Sequence, residues 1–239
     1  MTACARTSSD GQQVWIREIP SAQLAALARR MRSGAGASSA GVAQWALVSA
    51  ALSPLLLVTG WTIAGAVQPA DYSPVRQTVS VLAGHGGTHR WIMTCALVAV
   101  GCCHLLTAAG MSVLRPSARL GLVIAGLAAF GVAASPEPAH GSTSQHLAFT
   151  AVGAVAIAVW PAFATVREWS GGGVLSPRGS ALATVAFVVL LIWLVAETRD
   201  MGWLGLAERA SSAIQTSWPL VVGLTARRVA LGDYQLVAT

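Results

Sequence analysis

Apolar residues fall in six long runs, at about 42–67, 91–113, 118–135, 146–166, 180–196 and 205–226, separated by short polar stretches. A helix needs about 20 residues to cross a hydrocarbon layer roughly 30 Å thick, and these runs reach or approach that length. The pattern predicts an all-α protein, a six-helix transmembrane bundle; the sixth run is the least hydrophobic. Residues 1–41 contain no such run. Within them Ser21 would cap a short amphipathic helix, with Leu24, Leu27, Ala28 and Met31 at i, i+3, i+4 and i+7. That helix either lies on the inner leaflet or frays without a partner, and Ser33–Gly41 is a flexible linker. The expected organisation is a cytoplasmic tail at 1–41, a transmembrane domain at 42–228 and a C-terminal cytoplasmic tail at 229–239.

Composition agrees. The 239 residues are 54% hydrophobic and 10% charged, against about 25% charged in soluble domains, which excludes a sizeable soluble catalytic domain. All 15 basic residues are arginines, and alternate sides of the six runs carry 11 and 4 of them. The side rich in arginine is expected in the cytoplasm, so both termini lie there and the first, third and fifth loops outside the cytoplasmic membrane. Arginines scattered between apolar runs answer to topology, so the net charge of +6 implies no nucleic-acid partner. Trp61, Trp91 and Trp203 fall near the outer boundary and Trp45 and Trp169 near the inner one, as headgroup anchors do. Cys4, Cys95, Cys102 and Cys103 show neither a CxxC pair nor a disulfide framework.

With that topology the chemistry becomes one-sided. His85, His89, His140, His146, Asp71, Glu137, Glu197, Asp200 and Glu208 all fall outside, on the loop of about 68–90, the loop of about 136–145 and the turn of about 197–208. In the sixth run Glu208, Ser211, Ser212 and Gln215 recur at i, i+3, i+4 and i+7, a single helical face. Two readings stay open: the stripe lines a polar cavity with Glu208 at its mouth, or its small polar residues glue helices together while Glu208 pairs with an arginine. On the fourth run His146, Thr150 and Gly153 form a second face, preceded by Glu137 and His140. An imidazole beside carboxylates can exchange protons near neutral pH, although a capping histidine would look the same. His85 and His89 have HxxxH spacing, but Gly84, Gly86 and Gly87 disfavour the helix that would bring them to one metal. No metal ligands are assigned.

His104, in the middle of the second run, is expected to be neutral and hydrogen-bonded to a neighbouring helix, since no second histidine lies at its depth to share a haem. Pro54 and Pro161 should kink or open the first and fourth helices. Nucleotide-binding, GxSxG and HExxH signatures are absent from the sequence, and no cofactor is implied.

Several stretches carry a family resemblance: Ser53 and Pro54, SPVRQTVSVLAGHGGTHRWIM with Ser80 and Leu82, the SPEP turn with Glu137, Pro138 and His146, and GLAER at 205–209. Over about 42–228 the chain resembles the bacterial integral membrane proteins called domain of unknown function 998. That family tends to have Asp where this chain has Glu137. The resemblance implies a fold and a set of polar positions, and no activity.

The expected function is an outward-facing polar pocket for a lipid, isoprenoid or other amphipathic molecule, with room for cofactor-independent, non-redox acid–base chemistry. Glu208, Glu197, Asp200, His146 and Glu137 are the catalytic candidates. Arg199, Arg209, Ser211, Ser212, Gln215, Trp193 and Trp218 are the ligand-binding ones. One version is a cyclase that protonates an isoprenoid, with Trp193 and Trp218 near the developing cation. The alternatives are an accessory subunit packing on a larger membrane partner through Gly121, Gly126 and Gly131, or a small proton-linked carrier.

Overall fold

The computed structural model describes residues 4–7, 13–16, 41–165 and 173–237. The chain divides into two units, residues 1–38 and 39–239. In the first, β1 (Cys4–Thr7) and β2 (Gln13–Ile16) pair antiparallel, an element the apolar pattern did not signal. The amphipathic helix expected at 21–32 lies outside the described residues.

The second unit is helical. Its elements are α1 (Gln44–Ala66), α2 (Val79–Ala83), α3 (Trp91–Gly110), α4 (Pro116–Ala134), α5 (Ser144–Phe163), α6 (Pro177–Asp200) and α7 (Leu204–Val237). Five of them, α1, α3, α4, α5 and α6, are long and apolar enough to cross a membrane. The boundaries follow the apolar runs to within a few residues, apart from α7, which continues past Arg228 to Val237. Hydropathy ends that run where the arginines begin, whereas the backbone has no proline or capping break there and carries on. Pro54 lies inside an unbroken α1, and Pro161 lies in the last turn of α5, where its carbonyl accepts a hydrogen bond from Ser180 Oγ.

Each long helix packs on the next in sequence, and α7 returns to α1, so the six close into a ring. Neighbours run antiparallel. Ser49 Oγ donates to the Cys103 carbonyl at 2.8 Å, Arg119 Nε to Ala108 at 2.7 Å, Trp160 Nε1 to Ala118 at 2.7 Å and Ser211 Oγ to Leu190 at 3.2 Å. The pairing of α7 with α1 spans the whole bundle: Arg209 lies over Trp61 at one end, and Gly223 meets Leu47 at the other.

Where helices touch, residues are small. Buried Ala46, Ala50, Ser53, Leu57, Gly60 and Ala64 on α1 face Met93, Ala96, Val100, Cys103, Thr107 and Gly110 on α3, both at the alternating three- and four-residue spacing of an antiparallel seam. The glycines expected to make a face for a partner protein are used inside the chain. Gly121 meets Trp160, Gly126 meets the Gly101 carbonyl, and Gly131 meets the Phe149 ring. Large apolar side chains instead point outward, as on α6, where Leu182, Val185, Val189, Ile192 and Val195 are all exposed. An apolar exterior over a small-residue interior is what a lipid solvent selects.

Two cores fill the ring. One, around Met111, Leu122, Trp160, Leu175 and Val222, closes the end where α3 turns into α4. The other, around Leu57, Met93 and Val100, is plugged by Val79, Leu82 and Ala83 of α2. Trp160 is fully buried and its indole bond ties α5 to α4. Trp160→Phe keeps most of the apolar contact and removes that bond, so it should cost about 1 kcal/mol. A lowered Tm of the purified protein in detergent, with an unchanged elution volume, would register it.

Candidate functional site

The polar residues gather at the end of the ring that α2 plugs. The segment from Gln68 to Arg90 folds across that end and is fastened at several points. Gln68 exchanges hydrogen bonds with the Thr88 backbone at 2.9 and 3.0 Å, His85 N donates to the Glu137 carbonyl at 2.8 Å, and Leu206 N donates to Val75 at 3.0 Å.

Glu208 and Arg209, side by side in the first turns of α7, face this segment rather than each other. Glu208 Oε2 accepts the Val79 N–H at 2.5 Å, which satisfies one of the donors left open at the start of α2. Arg209 donates from Nη1 to the carbonyls of Pro74 and Gln77, both at 2.8 Å, and of Gly205 at 3.0 Å, and from Nη2 to the Tyr72 hydroxyl at 2.5 Å. Its guanidinium also stands 5.9 Å from the Trp61 ring centroid. Burial pushes the Tyr72 phenol up, and the neighbouring guanidinium works against that shift.

His146 is 1% exposed, at the start of α5. Thr143 caps that helix, its hydroxyl accepting the His146 N–H at 3.1 Å, and this sets the ring facing inward. Nδ1 lies 2.7 Å from the Ser135 carbonyl and Nε2 lies 2.9 Å from Ser80 Oγ. A carbonyl can only accept, so Nδ1 carries a proton, and Nε2 accepts from the Ser80 hydroxyl in a neutral ring and donates to it in a protonated one. Glu137 Oε1 stands 3.6 Å from the same Nε2. Glu208 and His146 thus grip consecutive residues of α2, Val79 and Ser80, and Glu137 lies close enough to Glu208 for their charges to repel.

The remaining candidates do not join this cluster. Glu197 closes the end of α6, accepting from Trp193 Nε1 at 3.2 Å and from Trp203 N at 2.9 Å. Arg199 and Asp200 are exposed on the last turn of α6, as are Asp71, His85, His89 and His140 in their loops. Ser211 donates to Leu190 and Gln215 Nε2 to Phe187 at 3.3 Å, so this part of the stripe joins α7 to α6 as the helix-gluing alternative describes. Ser212 is half-buried one residue along, and its carbonyl accepts from Thr216 Oγ1 at 2.6 Å. Trp218 packs edge-on against Phe187 with centroids 5.7 Å apart. It lies ten residues from Glu208, roughly 15 Å down the helix, and the aromatic rings near the cluster are Trp61 and Tyr72. Among the described residues no three His, Cys, Asp or Glu side chains come together to hold a metal.

Ser80, Tyr72 and Trp61 are the members that sequence reasoning missed as site residues. Ser80 figured there only as a carrier of the family resemblance, and neither hydropathy nor spacing says which loop hydroxyl meets a histidine 66 positions away.

A closed ring of apolar-faced helices with one polar, braced end defines a multi-pass helical membrane protein. Over residues 51–225 the sequence matches the family described as protein of unknown function DUF998, and the chain belongs to that family. Comparison with curated proteins and with solved structures finds no match.

Proposed function

We propose that the chain is a six-span protein of the bacterial cytoplasmic membrane, with both termini in the cytoplasm, whose outer end receives the polar head of a lipid, isoprenoid or other amphipathic molecule and exchanges a proton with it. The sixth span is α7. It runs alongside α1 from Trp61 to Leu47, and its exposed Leu206, Ile214, Val221 and Leu224 give it an apolar outer stripe despite its lower hydropathy. The arginine asymmetry supports the orientation, with the His146 end outside.

The observation that carries the functional reading is the setting of His146. Its ring is held by the Ser135 carbonyl, and its Nε2 faces a hydroxyl and a carboxylate together. A proton taken up on Nε2 would be stabilised by Glu137, and one given back would restore the bond from Ser80. The ring can therefore act in either direction: protonated, it pairs with Glu137, and neutral, it keeps the bond from Ser80. Glu208 supplies a second carboxylate beside Glu137 and Arg209 the positive charge, so polar recognition and proton transfer fall within one cluster.

Glu208→Gln keeps an oxygen for the Val79 N–H while removing the acid, and His146→Gln removes the base. Mass spectrometry of lipids co-purifying in native-membrane discs should find a defined amphipathic molecule enriched with the wild type. Its enrichment should fall about tenfold in either variant, the scale of one charge-assisted hydrogen bond. Identical lipid profiles for all three proteins, each still eluting as a folded species, would exclude a ligand site at this end.

A further inference from the structure

The opposite end of the ring carries a second candidate site, built from different residues. Where α3 turns into α4, a cleft of about 470 Å³ is lined by Val113, Leu114, Arg115, Pro116 and Ser117. Pro116 also lines a second cleft, of about 310 Å³, which continues between the two helices along Leu105, Leu120 and Val123 with Arg119 on its wall. The two adjoin at Pro116: the first carries Arg115 and Ser117 among apolar residues at the helix ends, and the second is largely apolar and runs between the helices.

We propose that this composite cleft binds an acidic phospholipid of the surrounding leaflet, with its phosphate between Arg115, Arg119 and Ser117 and an acyl chain along the α3–α4 groove. Charge complementarity selects the headgroup. Among the described residues neither arginine has a carboxylate within 4 Å, and Asp71, Glu137, Glu197, Asp200 and Glu208 all lie at the other end of the ring. Arg119 is held in place by its Nε, which donates to the Ala108 carbonyl at 2.7 Å, and the remaining Nη donors of a guanidinium suit a phosphate. An anionic lipid gains from both guanidinium groups. A zwitterionic lipid would bring its ammonium to the same positive surface, where no carboxylate among the described residues receives it.

The groove selects a lipid over a free anion. Leu106, Leu120, Ile124 and Leu127 are exposed on this side of the bundle, so the groove opens onto acyl chains rather than water. The turn itself is rigid, with Ala43 N bonded to the Gly110 carbonyl at 2.9 Å and Val113 N to Gly41 at 3.0 Å, so the cleft is held open by backbone structure.

Native mass spectrometry of the full chain in detergent, with phosphatidylglycerol and phosphatidylcholine of matched acyl chains added in equal amounts, tests this. The wild type should retain phosphatidylglycerol preferentially, and Arg115→Gln should lower that preference about 5-fold, the contribution expected of one arginine near a headgroup. Arg119→Gln combined with Arg115→Gln should bring the two lipids to parity. Arg115 is exposed, so its variant keeps the test decisive if replacing Arg119 disturbs folding. Arg76→Gln, an exposed arginine at the other end, should leave the preference unchanged. Equal retention of both lipids by the wild type, a loss as large in Arg76→Gln as in Arg115→Gln, or displacement of phosphatidylglycerol by millimolar inorganic phosphate would each overturn the proposal.

Discussion

Valine in place of Gly126 should force the α3–α4 pair apart and lower the stability of the protein by about 3 kcal/mol. The Cβ added there would stand 2.9 Å from the Gly101 carbonyl oxygen and 3.2 Å from two Leu105 side-chain atoms. The nearest neighbour is backbone, which cannot rotate away as a side-chain tip can. Overpacking in a well-filled interior costs roughly 1–3 kcal/mol, and a contact that must separate two helices belongs at the upper end. The measurement is Tm and the monodisperse fraction in detergent. Gly141→Val serves as the comparison for space, because a Cβ at Gly141 meets nothing within 4 Å, although its φ of +78° adds local strain. Unaltered Tm and yield for Gly126→Val would mean that α3 and α4 do not meet at these glycines. The same experiment bears on the accessory-subunit alternative: a glycine face reserved for another protein would lose a partner on substitution and leave the isolated chain folded.

Arg209→Ala should free the segment across the polar end from α7. Four hydrogen bonds from one guanidinium hold Tyr72, Pro74, Gln77 and Gly205. Bonds to a charged donor contribute about 1.5–3 kcal/mol each in isolation, but the group is half exposed and the bonds share one side chain, so about 2–3 kcal/mol in all is expected. Hydrogen exchange would show where the stability is lost. Amides of residues 72–80 should exchange faster, whereas those in the middle of α3 and α4 should keep their protection. Arg209→Lys should recover only part of the effect, because an ammonium cannot reach three carbonyls and a hydroxyl in the planar fork that arginine offers. Unchanged exchange across 72–80 in Arg209→Ala would show that Glu208 and the Leu206–Val75 bond suffice to hold the segment.

Much of the site was legible in part. The i, i+3, i+4, i+7 stripe on α7 identified a polar face correctly, and the face turns inward. What periodicity could not tell is what that face meets. Ser211 and Gln215 lie opposite α6 carbonyls and become interhelical bonds, while Glu208, one turn earlier, reaches the Val79 N–H of α2 instead. Glu197, Arg199 and Asp200 look like a charge network in sequence because they are close along the chain. In space they sit on the last turn of α6, and only Glu197 finds described partners, both of them local.

By itself the sequence determined the helices, because burial in or beside hydrocarbon demands long apolar runs whose backbone groups are satisfied within each segment, and that demand is written locally in composition. It also determined that most carboxylates and histidines would fall at the ends of the helices, since charges are excluded from the middle of such runs. The tertiary structure decided the rest. Closure of α7 onto α1 depends on a seam more than 100 residues apart in sequence, with Gly223 beside Leu47 and Arg209 over Trp61. The meeting of Ser80, Glu137 and His146 depends on the 68–90 segment and the α4–α5 loop being folded over one end of that ring, against the start of α5. Such contacts rest on shape and hydrogen-bond geometry between distant residues, which no local pattern of polarity encodes.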